Sequence, residues 1–134
     1  MKAYQKSENA FRQFLSAPFI YAMIIPLAFL DICMEIYHRI TFPLYGIPYV
    51  DRAAFIVYDR EKLSYLTKAQ RFNCMYCSYA NGLIRYAAEI GARTERYWCA
   101  IQHRKTEKFT PPEYQKDFLP YGDEKAFKEF VEKK

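Results

Sequence analysis

Glycine is scarce in this sequence, with only four among 134 residues. A phosphate-binding loop needs several glycines at close spacing, so a P-loop nucleotide site is excluded. The G-x-S-x-G and H-E-x-x-H motifs of hydrolases and zinc proteases are also missing, as are internal repeats and low-complexity tracts. No enzyme class is therefore indicated by a motif.

Histidine and tryptophan are rare, with two and one residues, whereas 13 Tyr and 11 Phe bring the aromatic content to 19 %. Such rings suit surfaces with one apolar and one wet side. The length and the 51 % apolar content predict a single domain, 1–134, without room for a separate catalytic domain. The net charge of +5 favours anionic partners such as lipid headgroups. Because Lys and Arg are interspersed with acids, we expect no nucleic-acid partner.

Formal charge is absent from Phe14–Leu30, a run of seventeen residues that is about the shortest able to span a bilayer. Pro18 and Pro26 interrupt this run and predict a bend, because proline removes a helical hydrogen bond. We expect one kinked hydrophobic helix over 12–41, spanning or deeply inserted in a membrane, followed by a proline-limited turn. A buried core helix of a soluble protein is the alternative.

The rest of the chain, 53–134, is predicted to be a polar helical body. The fold class is therefore mainly α: a kinked N-terminal hydrophobic helix, then a small helical bundle with an extended Pro-rich C-terminal segment. Ala53–Tyr58 suits a short strand or an extended segment. Asp59 is a candidate N-cap for a helix that ends near Phe72.

Further helix boundaries are indicated by glycine and threonine. Leu83–Ile90 is predicted to be helical, Gly91 to stop that helix, and Thr94 to begin another that runs to about Lys105. Thr110–Gly122 contains three prolines and should be extended over the body.

The C-terminus carries one more helix signal. Asp123 is a candidate N-cap, and four apolar side chains share one face of the helix that follows it: Ala126, Phe127, Phe130 and Val131.

Four cysteines occur at positions 33, 74, 77 and 99. We expect no cleavable signal peptide ahead of them, because the small-residue cleavage site is not recognised. Reduced thiols in the cytoplasm are therefore expected, and two disulfides in an oxidising compartment are the alternative. Cys33 lies among apolar residues, as an inert packing residue would.

The remaining thiols and one histidine form a candidate metal site of the Cys₃His type, which suits zinc, with iron as the alternative. Its ligands would be Cys74, Cys77, Cys99 and His103. One straight helix would hold the two pairs about 33 Å apart at 1.5 Å per residue. The site therefore requires the chain to turn near Asn81–Gly82 and to reverse at Gly91. Thiol redox chemistry at the C-x-x-C pair is a competing interpretation.

These segments, Asn73–Gly82 (NCMYCSYANG) and Thr94–His103 (TERYWCAIQH), resemble a family of small bacterial proteins with NCxYCxYANG and TExYWCxxxH motifs. The similarity runs from about Leu30 to Phe130. Since no activity is assigned to that family, the resemblance implies no mechanism.

Asp31, Glu35 and His38 follow each other at helical spacing and should share one face at the edge of the apolar run. We expect them to pair with Arg39 or with basic residues of the polar body. A di-iron centre that also uses Glu89 or Glu95 is the alternative, although no second Glu-x-x-His occurs.

Taken together, these features predict a membrane-associated accessory or interaction protein with a cytoplasmic body, a structural zinc site and contact with lipid or a larger membrane protein complex. The rival function is an oxidoreductase that uses the C-x-x-C pair or an iron bound by the acidic cluster.

Overall fold

The computed structural model describes residues 10–132. Four α-helices make up most of this part, and no β-strand occurs among these residues: α1 Ala10–Ala22, α2 Ile24–Leu44, α3 Lys68–Trp98 and α4 Glu124–Glu132. The mainly α class is confirmed. The chain divides into two compact units, one ending at Tyr86 and the other beginning at Ala87.

The apolar N-terminal helix is bent at Met23, between α1 and α2. Pro26 has no N–H, so the carbonyl of Ala22 loses its usual partner one turn ahead. At the bend the Met23 N–H binds the Ile20 carbonyl at 3.3 Å, which is a tighter turn than the α-helix makes. The predicted kink in this helix is confirmed.

A tight turn ends α2. Gly46 adopts a positive φ of 64°, and the Ile47 N–H binds the Phe42 carbonyl at 2.9 Å. Pro43 has no N–H for the Arg39 carbonyl, and the Tyr49 hydroxyl donates to that carbonyl instead, at 3.2 Å. The carbonyl left open by this proline is therefore satisfied by a side chain from the next segment.

The segment that connects α2 to α3 differs from its prediction. Residues 53–58 form no strand; a 3₁₀ turn at Arg52–Ala54 takes their place, with the Asp51 carboxylate accepting the Ala53 N–H at 3.0 Å. A lone strand has no neighbour to pair with. Asp59 is followed only by a second 3₁₀ turn, Arg60–Lys62, and its side chain forms no cap.

Helix α3 begins at a capping box that the sequence analysis missed. The Thr67 hydroxyl accepts the Gln70 N–H at 3.3 Å, and the Gln70 side chain accepts the Thr67 N–H at 2.9 Å. The helix continues through Gly91, so the predicted stop there is wrong. Thr94 is no N-cap, because its hydroxyl donates to the Ile90 carbonyl one turn earlier, at 2.9 Å.

Gly82 permits the close packing of the connecting segment against α3. A Cβ atom at this position would lie 2.6 Å from the Phe55 carbonyl oxygen and 2.9 Å from the Ile56 Cα. No side chain fits at such distances. Glycine is therefore needed at position 82 because two backbone segments lie close together, and not because the chain turns there. The largest fully buried side chains of this unit are Phe42, Leu83 and Tyr86.

In the second unit, the residues after α3 fold back through main-chain hydrogen bonds. Leu119 donates to the Ala100 carbonyl at 2.9 Å, and Gln102 donates to the Leu119 carbonyl at 2.8 Å. Phe118 is buried beside this bridge. Helix α4 then opens at Asp123, whose carboxylate accepts the Ala126 N–H at 2.9 Å, so the predicted N-cap is confirmed.

Candidate functional site

The most connected polar cluster in the described structure lies on α2. Asp31, Glu35 and His38 share one helical face, as their spacing predicts, and that face is covered by side chains from the rest of the first unit. The two carboxylate side chains are 16 % and 25 % exposed, and His38 is buried. Ionisable groups within an apolar helix are costly unless they are paired.

Arg52 provides most of that pairing. Its guanidinium binds Asp31 through two parallel hydrogen bonds, Nη1 to Oδ1 at 2.5 Å and Nη2 to Oδ2 at 2.7 Å. Nη1 also lies 3.2 Å from Glu35 Oε1. The bond to Asp31 raises the pKa of Arg52 further above its usual range. Arg39 Nε binds Glu35 Oε2 at 3.1 Å, so the predicted pairing with Arg39 is confirmed. Arg52, which precedes the predicted body, is an ion-pair partner that the sequence analysis did not name.

Two tyrosines of α3 complete the hydrogen bonding of the carboxylates. The Tyr79 hydroxyl donates to Asp31 Oδ2 and the Tyr86 hydroxyl donates to Glu35 Oε1, each at 2.9 Å. Burial, together with these bonds to carboxylates, raises the pKa of Tyr79 and of Tyr86 to about 12. Both phenols therefore stay protonated and remain donors at neutral pH.

His38 is held as a neutral imidazole. The Val50 N–H donates to Nε2 at 3.0 Å, so that nitrogen carries no proton. The proton then lies on Nδ1, which is 2.9 Å from the Tyr86 hydroxyl and donates to it. Since both ring nitrogens are engaged, His38 orients Tyr86 toward Glu35 and offers no lone pair to a metal.

All four carboxylate oxygens of Asp31 and Glu35 accept at least one hydrogen bond from Arg52, Arg39 or a tyrosine. The two positive charges balance the two negative ones. No carboxylate oxygen of this cluster is left without a donor. The network therefore suits a structural role, in which it holds α2 against the rest of the first unit. A cleft of about 470 Å³ opens beside it.

The predicted metal ligands occupy separate places in the chain. Cys74 and Cys77 lie in α3 within the first unit, with Cys77 exposed. Cys99 follows the end of α3 and is exposed; its N–H donates to the Glu95 carbonyl at 2.7 Å. His103 Nε2 lies 4.0 Å from Glu95 Oε1. All four cysteines fall within the described residues, and none is joined in a disulfide.

The chain reversal on which the Cys₃His site depends does not occur, because α3 is continuous from Lys68 to Trp98. Among residues 10–132, no group of three or more His, Cys, Asp or Glu side chains is arranged to hold a metal ion. Glu89 instead pairs with Arg93 at 2.8 Å. The zinc site and the di-iron alternative therefore stay predictions without geometric support.

The sequence analysis did not find Tyr79 and Tyr86. A signal was present, because α3 carries an aromatic and apolar stripe at spacings of four and three residues: Phe72, Tyr76, Tyr79, Leu83 and Tyr86. That stripe marks the face of α3 that meets α1 and α2.

Comparison with protein-family models, with curated proteins and with solved structures produced no match for this chain. The resemblance of Asn73–Gly82 and Thr94–His103 to a bacterial family thus remains a prediction.

Proposed function

We propose that this protein is a membrane-bound accessory protein that acts through binding and not through catalysis, with Phe11–Leu44 as its anchor. One observation carries the proposal: the most apolar stretch of this 34-residue segment has a mean hydropathy of 2.0, and only 6 % of that stretch is buried. The core helix of a soluble protein passes the same test of length and composition, but such a helix is mostly buried.

The exposed side chains of the anchor are large. Phe14 is 80 % exposed, Phe19 75 % and Ile25 73 %. Exposure of this kind continues along the segment, with further members at Phe11, Leu15, Ile20, Met23, Ile24, Phe29, Leu30, Ile32, Ile36, Ile40 and Leu44. A continuous apolar surface of this length exceeds what soluble monomers expose, and a lipid bilayer is the partner that fits it.

A removable signal sequence is also apolar and N-terminal. The anchor differs because Asp31 and Glu35 are bound by Arg52, Tyr79 and Tyr86, and cleavage would leave these partners without their carboxylates. This supports an anchor that is retained in the mature protein. The four cysteines outside any disulfide support a cytoplasmic body, and the net charge of +5 suits anionic headgroups.

Membrane fractionation tests this proposal. We expect the protein to sediment with membranes and to resist extraction by alkaline carbonate. The double variant Ile25→Asp/Phe29→Asp should move to the soluble fraction, whereas Tyr65→Asp, at a 77 % exposed aromatic residue outside the anchor, should not. Release of the unmodified protein by mild salt would refute membrane insertion.

A structural zinc ion at Cys74, Cys77, Cys99 and His103 is a separate proposal, with iron as the alternative metal, and it requires α3 to open between Cys77 and Cys99. Elemental analysis of the purified chain tests it. About one zinc per chain, lost in the Cys99→Ser variant, would support the site. Metal-free protein with a reducible Cys74–Cys77 disulfide would favour the thiol-redox alternative.

A further inference from the structure

The orientation of the anchor can be inferred from the course of α3. Moving forward along α3, the Tyr76 hydroxyl donates to the Ile20 carbonyl at 2.5 Å, Tyr79 donates to Asp31, and Tyr86 donates to Glu35. Residue numbers rise together on both helices, so α3 lies alongside the anchor in the same direction. From Ile20 to Glu35 the anchor rises about 22 Å, at 1.5 Å per residue.

Charged residues lie beside this same stretch. Arg60 Nη2 donates to Ser78 Oγ at 2.9 Å, and Ser78 falls between the α3 residues that contact Ile20 and Asp31. Asp59, Glu61 and Lys62 are neighbours of Arg60 in the chain. If the anchor crossed the bilayer, the Arg60 guanidinium would lie at the depth of the anchor's apolar centre. An arginine at that depth is strongly disfavoured, because its charge would have to leave water.

The anchor is also covered on one side only. Covered positions recur at helical spacing, at Leu27, Asp31, Glu35, His38 and Phe42. The opposite side of α2 is apolar and exposed, at Ile25, Phe29, Ile32, Ile36 and Ile40. A one-sided apolar face under a polar layer is the pattern of helices that lie in the membrane interface.

We propose that Phe11–Leu44 lies in the plane of the membrane, with its apolar face in one leaflet and with the connecting segment and α3 up to Tyr86 on the headgroup side. This inference rests on the proposed membrane function and adds its geometry. Both ends of the anchor are then on one side of the bilayer. The occupant of the exposed face is the acyl region of a single leaflet.

Depth measurement tests the orientation. Trp98 is the only tryptophan, so Phe29→Trp and Ile36→Trp can each be placed in a Trp98→Phe background, at two exposed sites seven residues apart on one face. The probe is a phosphatidylcholine and phosphatidylglycerol vesicle that contains lipids brominated at defined acyl positions. Lys62→Trp in the same background is the aqueous control. Native circular dichroism is required of each variant before quenching is measured.

An anchor in the plane predicts equal depths for the tryptophans at 29 and 36 and little quenching of the one at 62. A crossing anchor predicts depths that differ by about 10 Å along the helix axis, and that result would overturn the inference while leaving the membrane function intact. If the tryptophans at 29 and 36 were not quenched, and if the protein did not rise with the vesicles in a flotation gradient, both the in-plane orientation and the membrane function would be overturned. Tags at the two chain ends provide a second readout, since protease on one side of sealed vesicles should remove both or neither.

Discussion

Arg52 and Asp31 form a two-pronged ion pair across 21 residues of sequence, with N···O distances of 2.5 and 2.7 Å. The fork of the guanidinium matches the carboxylate, which fixes the connecting segment against the apolar helix. The pair is partly buried, with the arginine side chain 38 % exposed and the aspartate 16 %. It is thus worth more than a surface pair and less than a fully buried one.

Removal of Arg52 should destabilise the protein strongly. Arg52→Ala leaves Asp31 unpaired and Glu35 with one fewer donor, and we expect a loss of about 1–3 kcal/mol, between the values for exposed and buried pairs. Arg39→Ala is the matched control, because that side chain is 77 % exposed and pairs within its own helix, so the loss should be about 0.5 kcal/mol or less. Thermal unfolding in detergent measures both. Equal losses would contradict the role of Arg52.

Tyr86 and Tyr79 make stability sensitive to alkaline pH. Their folded pKa of about 12 lies above the unfolded value of 10.0, so the folded state holds these protons more tightly. Their contribution is complete below pH 10 and is lost as pH rises toward about 12. Tyr86→Phe should lower stability by about 1–3 kcal/mol at pH 7, because Glu35 and His38 lose a partner. The variant should also lose less stability between pH 9 and 12, as the melting temperature will report; an unchanged slope would refute this assignment.

Two glycines of α3 should respond in opposite ways to alanine. At Gly82 a Cβ would collide with the main chain of Phe55 and Ile56, so Gly82→Ala should destabilise the fold. At Gly91 nothing lies within 4 Å, and Gly91→Ala should stabilise the helix by about 1 kcal/mol. Melting temperatures compare the two. A stabilising Gly82→Ala would show that the connecting segment does not pack closely on α3.

Glu95 should control the order of the second unit. Its carboxylate accepts hydrogen bonds from the Tyr114 hydroxyl at 2.6 Å and from Gln115 Nε2 at 2.9 Å. The first of these bonds raises the pKa of Tyr114. In Glu95→Ala, we expect limited proteolysis between residues 100 and 120 to become several times faster, because opening will cost less. Glu89→Ala, which removes only a partly exposed pair with Arg93, should leave the cleavage rate unchanged.

The sequence predicted the local structure correctly where a single residue, or the spacing of a few residues, determines the geometry of a helix. Pro26 fixes the bend, Asp123 caps α4, and the spacing of Asp31, Glu35 and His38 places them on one face. Each of these depends on hydrogen bonds within one or two turns, which sequence spacing encodes directly.

The predictions that failed either overrated a small local penalty or depended on tertiary packing. Gly91 costs a helix only about 1 kcal/mol, which the flanking turns of α3 outweigh, so it is no stop. The metal site assumed that stop and loses its geometric basis with it. Tyr79 and Tyr86 meet acids 48 and 51 residues away, and no local pattern specifies which helix they contact.

The sequence separation between the anchor's carboxylates and their donors also imposes an order on biosynthesis. The anchor is translated first, while Arg52, Tyr79 and Tyr86 leave the ribosome 21 to 51 residues later. Until then, a nascent apolar helix carries Asp31 without its donors and Glu35 with Arg39 alone. Any factor that binds the emerging chain must therefore shield this helix while roughly fifty further residues are synthesised. A chain truncated before Tyr86 would reach the bilayer with the hydrogen bonding of Asp31 and Glu35 incomplete.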